Sequence, residues 1–152
     1  MKKNICLFLF LTIISCQSND IQLFNGNDLK GWVNYGGGKF YVEDECIVAE
    51  AIMGLPNSFL YTEKKYQNFE LKFDVKLDTV LNSGVQIRSN IYDEDTQTIR
   101  WGGRFDENGE KIVIQKKRAA GRFWGYQIEI DPTSRSWSGA IYEEAGRGFL
   151  HT

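Results

Sequence analysis

Gly125-Tyr126-Gln127-Ile128-Glu129-Ile130-Asp131 alternates strictly between apolar and polar side chains. A period of two is the signature of a β-strand with unlike faces. It predicts Tyr126, Ile128 and Ile130 on a buried face and Gln127, Glu129 and Asp131 on a polar one. The same alternation runs through Val85, Ile87 and Ser89 against Gln86, Arg88 and Asn90. It holds for nine residues where Phe69, Leu71, Phe73, Val75 and Leu77 alternate with Glu70, Lys72, Asp74 and Lys76. Shorter strands are expected at Lys39–Val42, Cys46–Glu50, Ser58–Thr62, Ile112–Gln115 and Gly139–Tyr142. Turn residues punctuate them at Asn25-Gly26-Asn27-Asp28, Gly36-Gly37-Gly38, Leu55-Pro56-Asn57, Asn82-Ser83-Gly84 and Glu107-Asn108-Gly109. No stretch carries a capped helical stripe. Many short strands between glycine turns point to an all-β sandwich or jelly roll.

The N-terminus reads as an export signal. Lys2 and Lys3 precede an apolar run from Ile5 to Ile14, too short for a membrane-spanning helix, which needs about 20 residues. Ile13-Ile14-Ser15-Cys16 resembles a bacterial lipobox, in which the cysteine is acylated and becomes the mature N-terminus. The expected organisation is a leader at residues 1–15, a tether at 16–20 and one β-domain at 21–152. Gln17 after the cysteine points to the outer membrane or periplasm, with the membrane reached through a lipid anchor at Cys16. Without the leader, the acids outnumber the basic residues and the net charge is about −4, which argues against nucleic acid as a partner. Cys46 is the one thiol that remains, so no internal disulfide forms, and its apolar neighbours Ile47, Val48 and Ala49 suggest burial.

Gln127, Glu129 and Asp131 project from one face, roughly 6.5–7 Å apart in succession. That spacing suits paired carboxylates in glycoside cleavage, although any acid pair two apart on a strand has it. If the strand of Gln86 and Arg88 lies alongside, Arg88 is placed to orient the acids or to stabilise a developing oxyanion. A plain ion pair across two strands is the structural alternative. Aromatic residues make up 14% of the chain. Trp32 reads as core, whereas Trp101, Trp124 and Trp137 lie in or beside loops and are candidates for a sugar-stacking wall. His151 is the single histidine, which removes histidine triads and histidine zinc sites. The basic segment Arg100–Arg122 reads as a solvated hairpin with Lys111–Gln115 as one arm.

Phe24-Asn25-Gly26-Asn27-Asp28-Leu29-Lys30-Gly31-Trp32 resembles the opening of the 3-keto-disaccharide hydrolase domain family. Further matches follow in order at Val42-Glu43-Asp44 with Ile47, Leu60-Tyr61-Thr62, Tyr66–Leu71, Asn82–Arg88, Gly125–Asp131 and Ser138–Tyr142. The resemblance implies a concanavalin A-like jelly-roll sandwich of two antiparallel sheets. Similar domains carry further strands after the equivalent of His151, so the sandwich is expected to be incomplete. It also implies a carbohydrate substrate, a glycoside oxidised at C3, cleaved by a hydrolase or lyase. By that analogy Glu129 or Asp131 is the catalytic base and Arg88 polarises the carbonyl or enolate. Gln86, Gln127, Trp101, Trp137 and Tyr142 contact substrate. A divalent metal assists in some such enzymes. A non-catalytic carbohydrate-binding lipoprotein is the alternative, and a structural lipoprotein a third.

Overall fold

The computed structural model describes residues 20–78 and 80–151, so the leader, Cys6 and Cys16 lie outside the described residues. The described residues form ten strands and no helix, paired antiparallel, in an arrangement consistent with a β-sandwich. The chain divides into two compact units, Met1–Leu71 and Lys72–Thr152.

The first unit holds β1 (Trp32–Tyr35), β2 (Lys39–Glu43), β3 (Cys46–Glu50) and β4 (Phe59–Thr62). β1 pairs with β4, Trp32 opposite Thr62, and β2 forms a hairpin with β3. The asparagine-rich opening motif is a turn. Asn25 Oδ1 accepts from the amides of Asn27 and Asp28 at 2.8 and 3.0 Å, and Asn25 Nδ2 donates to Asp28 Oδ1 at 2.8 Å. The chain leaves this turn through Gly31, whose φ of +86° suits glycine, into β1. There the Trp32 indole donates back to Leu23 O at 3.1 Å. The motif therefore anchors a strand and carries no chemistry of its own.

The β2–β3 hairpin turns on Asp44 and Glu45, with φ of 49° and 58°. A two-residue turn with both residues left-handed matches the twist of the flanking strands. Cys46 opens β3 directly after it and is exposed, which corrects the expectation of burial. Pairing with Glu43 at the hairpin tip leaves it uncovered, while Ile47 and Val48 further along are half-buried.

The second unit holds β5 (Ser83–Ile91), β6 (Thr96–Phe105), β7 (Lys111–Arg118), β8 (Phe123–Ile130), β9 (Ile141–Glu144) and β10 (Gly148–His151). β10, β9, β8 and β5 form one sheet in that order, and β6 pairs with β7 as the expected basic hairpin. The Trp101 amide in β6 donates to Arg147 O at 2.8 Å, tying the hairpin to the turn before β10. Among the described residues the buried apolar ones are few: Phe123, Ala140 and Ala145.

The nine-residue alternation at 69–77 belongs to no strand, and Phe69, Leu71, Phe73 and Val75 are exposed. Alternation says which side chains share a face. A strand also needs a hydrogen-bonded neighbour along its length, and a sequence pattern does not supply one.

Left-handed backbone costs a non-glycine residue about 1–2 kcal/mol. Replacing Asp44-Glu45 by Asn-Gly is therefore expected to stabilise the chain by about 1 kcal/mol or more, read as a higher urea midpoint at unchanged slope.

Candidate active site on the four-stranded sheet

The strand registers build one continuous row. Gln86 on β5 lies opposite Gln127 on β8, Gln127 opposite Tyr142 on β9, and Tyr142 opposite Phe149 on β10. Directly opposed residues share a face, so these four side chains lie side by side across the sheet. On the same face Gly84 opposes Glu129 and Gly125 opposes Glu144. The expected alignment of the Gln86 and Gln127 strands is thus present.

Glycine makes the row possible. A Cβ at Gly84 would meet Gln127 Cγ and Ile128 O at 2.6 Å each. With no side chain there, Gln127 lies across the strand and donates from Nε2 to Glu129 Oε1 at 2.9 Å. Asn82 Nδ2 donates to Glu129 Oε2 at 2.9 Å. Both oxygens of one carboxylate are held by neutral amides, and the residue is only 5% exposed.

This inverts one expectation. Glu129 and Asp131 are buried, whereas Tyr126, Ile128 and Ile130 are only half-buried. A buried carboxylate is tolerated when donors satisfy it, and here the donors come from the face itself.

Gly125 plays the matching part beside Glu144. A Cβ there would meet Ser89 Oγ at 2.8 Å and Gln86 Nε2 at 3.0 Å. The Gln86 amide is buried, and neither its nitrogen nor its oxygen has a partner among the described residues. Beyond it β5 bulges. Ile87 pairs with Tyr126 and Asn90 with Trp124, so Arg88 and Ser89 together oppose Gly125. Arg88 adopts φ 53°, its residue is exposed, and none of the described hydrogen bonds or ion pairs involves it.

Arg88 therefore sits at the bulge, two residues beyond Gln86, and no described ion pair joins it to Glu129 or Asp131, where neutralisation of the acids was expected. The cations that touch acids of this face and its adjoining loop are Arg122 and Arg135. Arg122 Nη2 lies 2.5 Å from Glu144 Oε1, and Glu144 is buried. Sequence reading missed this pair because Arg122 sits in the basic segment and Glu144 past the quoted motifs. The usable signal was Tyr142 and Glu144, two apart on one strand.

Asp131 lies just past the end of β8 and belongs to a turn. Its Oδ1 accepts from the Thr133 hydroxyl at 2.7 Å and the Thr133 amide at 3.0 Å. Arg135 Nε lies 3.1 Å from Oδ2, and Ser138 Oγ bridges the backbone N and O of Asp131. The Thr133 hydroxyl, with its amide and Arg135, holds the carboxyl below the usual carboxylate range. A carboxylate so stabilised is a weak base, so Asp131 suits positioning. What it positions is Trp137, carried by the same loop. Trp137 meets Phe149 edge-on at 4.5 Å, Phe149 meets Tyr142 at 4.9 Å, and Arg135 covers Trp137 at 4.6 Å. Of the three tryptophans expected to form a ligand wall, Trp137 joins Phe149 and Tyr142 in this aromatic cluster. Trp101 is elsewhere, on β6, with Lys111 Nζ at 4.1 Å and Arg147 at 5.3 Å over its ring.

Among the described residues no three His, Cys, Asp or Glu side chains converge as a metal-ligand set. Glu129 faces two amide donors where a metal ligand would face an ion. The row does not fit a resident divalent cation.

Gly84→Ala is expected to cost about 1–3 kcal/mol, because its Cβ would meet backbone as well as Gln127. Chemical denaturation checks the loss, and a crystal structure should show Gln127 displaced from Glu129.

Two carboxyls also set an acid limit. Arg147 hydrogen bonds hold Glu143 below its usual range, as Thr133 holds Asp131. A lowered folded value means the stabilisation is complete above the unfolded carboxylate range, about pH 4, and is lost as pH falls through the folded values. Urea midpoints should be flat near neutrality and fall below about pH 4, less steeply in Asp131→Asn.

No curated protein matches the chain. The family model described as the 3-keto-alpha-glucoside-1,2-lyase-like domain matches residues 19–149, and with it the chain belongs to that family of carbohydrate-acting, lyase- or hydrolase-like domains.

Proposed function

We propose that the protein cleaves glycosides whose glucose unit carries a ketone at C3, with Glu129 as the base, and that it does so at the cell envelope. The observation that carries this reading is the Glu129 carboxylate, held at both oxygens by neutral amides on a row that ends in an aromatic wall. No cation contacts Glu129 in the described ion pairs.

The chemistry follows from the ketone. A C3 carbonyl acidifies the C2 hydrogen. Glu129 takes that proton, and the electrons of the C2–H bond move into the enolate. The enolate reforms its carbonyl as the C1–O bond breaks, and the departing oxygen recovers the proton from Glu129. The proton balance closes with a single carboxyl group. The product is the unsaturated keto sugar, and water addition across its new double bond gives net hydrolysis. Arg88, unengaged at the Gln86 end, supplies the positive charge for the enolate oxygen. Gln86 offers an unpartnered amide to a sugar hydroxyl, and Gln127 holds the base in place. Trp137, Phe149 and Tyr142 receive the C–H face of the ring. Asp131 acts through the loop that bears Trp137. Lipidation at Cys16 would hold this site at the outer membrane.

The aromatic wall also favours a second reading, a carbohydrate-binding module without turnover, and one experiment separates the two. Purified protein should release aglycone from a 3-keto-glucoside and leave the unoxidised glucoside intact. Glu129→Gln should lower kcat about 10²–10⁴-fold, while Asp131→Asn should chiefly raise KM. Cys16→Ala should leave turnover unchanged and move the protein from the membrane to the soluble fraction. Binding of the keto-glucoside with no release by the wild type would establish the module instead.

A further inference from the structure

The opposite face of the same sheet carries a second concave feature. Trp124 alternates with the Gln127–Glu129 set along β8 and so points away from it, with Asn90 directly opposite on β5. Beside this pair lies a cavity of about 450 Å³ whose walls include Trp124, Tyr92, Asn90, Asp93, Glu94 and Thr96. That volume falls within the usual range for small-molecule sites, about 300–1,000 Å³.

Its chemistry is specific. The Tyr92 and Trp124 rings stack with centroids 5.9 Å apart and planes inclined by 26°, so the two aromatic residues brace one another at the cavity wall. Around it stand groups that bind hydroxyls. Asp93 and Glu94 are exposed, and their carboxylates enter none of the described hydrogen bonds or ion pairs. Asn90 Oδ1 accepts from the Ile91 amide at 2.9 Å, which leaves Nδ2 to donate. Thr96 Oγ1 donates to Glu94 O at 2.9 Å and so fixes the floor of the loop.

The loop is also preorganised. The Tyr92 amide donates to Arg122 O at 3.1 Å, and Gly121 N donates to Tyr92 O at 2.8 Å. Asp95, adjacent to Glu94, accepts from the Ala120 amide at 3.0 Å and pairs with Lys117 at 2.7 Å. Lys117 is therefore engaged by Asp95 and Arg118 by the Thr98 hydroxyl, and no described ion pair joins either cation to the two carboxylates before Asp95. Tyr92 Oη donates to Ala145 O at 3.3 Å and holds the ring in place. A binding loop already ordered costs less entropy when a ligand arrives.

We infer that this cavity is a second saccharide site, which takes a pyranose ring with its C–H face on Trp124 and Tyr92 and its hydroxyls on Asp93, Glu94 and Asn90. It needs no ketone on the sugar, because nothing in it is arranged to polarise a carbonyl. It is independent of Glu129, being on the other face, and would hold a neighbouring unit of a glycan while the row acts.

The test is a titration of the purified protein with methyl glucoside, which has no keto group, followed through the tryptophan indole N–H resonances. Sorbitol, an open-chain polyol, is the control, and Trp124→Phe assigns the resonance. A saturable shift of the Trp124 signal with methyl glucoside and not with sorbitol is expected. Asp93→Asn with Glu94→Gln should weaken it at least tenfold; both positions are exposed, so folding is preserved. Trp124→Ala should abolish binding, and Glu129→Gln should leave it unchanged. The inference is overturned if the Trp124 signal does not saturate, if sorbitol shifts it equally, or if binding survives the double variant. Loss of binding in Glu129→Gln alone would also overturn it, by assigning the sugar to the other face. Keto-glucoside turnover is measured separately, so failure here leaves the catalytic reading to its own experiment.

Discussion

Everything on the working face depends on one packing event, Gln127 lying flat across Gly84. A side chain at position 84 would lift the glutamine, and the carboxylate of Glu129 would lose one of its two donors. A buried, ionised carboxyl without donors is costly in a low-dielectric setting. The Asn82 amide completes the pair from the segment just ahead of β5. Two neutral amides therefore do here what an arginine would do elsewhere, and with a different result. They orient the anion without placing a full opposite charge against it. Asp131, two residues on, and Glu144, opposite Gly125 on β9, show the other solution, in which a guanidinium takes up the charge.

Much of the fold was legible in the residues. Alternation at 126–131 and 85–90 marked two strands that do pair, and their polar members do share a face. The hairpin at Arg100–Arg122 was also readable from its basic, glycine-punctuated pattern. Two things escaped. At 69–77 the pattern was the strongest in the chain, yet no strand forms, because periodicity encodes a face and carries no information about a partner. Along β8 the pattern correctly separated the two faces but assigned burial to the wrong one. That assignment assumed that acids seek water. Glu129 instead finds its donors in Asn82 and Gln127, and Asp131 finds Thr133 and Arg135, contacts that depend on register and loop closure.

The candidate site was legible in membership more than in role. Glu129, Gln127, Gln86, Tyr142 and Trp137 do gather around one row. Their division of labour needed geometry, since only the turn from Thr133 to Ser138 reveals Asp131 as a support for Trp137. Arg88 was chosen for its charge, and the bulge decides what that charge faces. Phe149 and the Arg122–Glu144 pair became visible only once β9 and β10 were laid beside β8.

The bulge at Arg88 and Ser89 has an evolutionary implication. Because the extra residue is absorbed locally, the pairings of Val85, Gln86 and Ile87 on one side and of Asn90 and Ile91 on the other are insulated from each other. Changes in length or composition at this kink can swing the guanidinium to new angles, or replace it, while the carboxylate four rungs away keeps its address. If Glu129 is the base as proposed, residues at one end of the sheet can change without retuning it, and relatives of this chain should diversify there first.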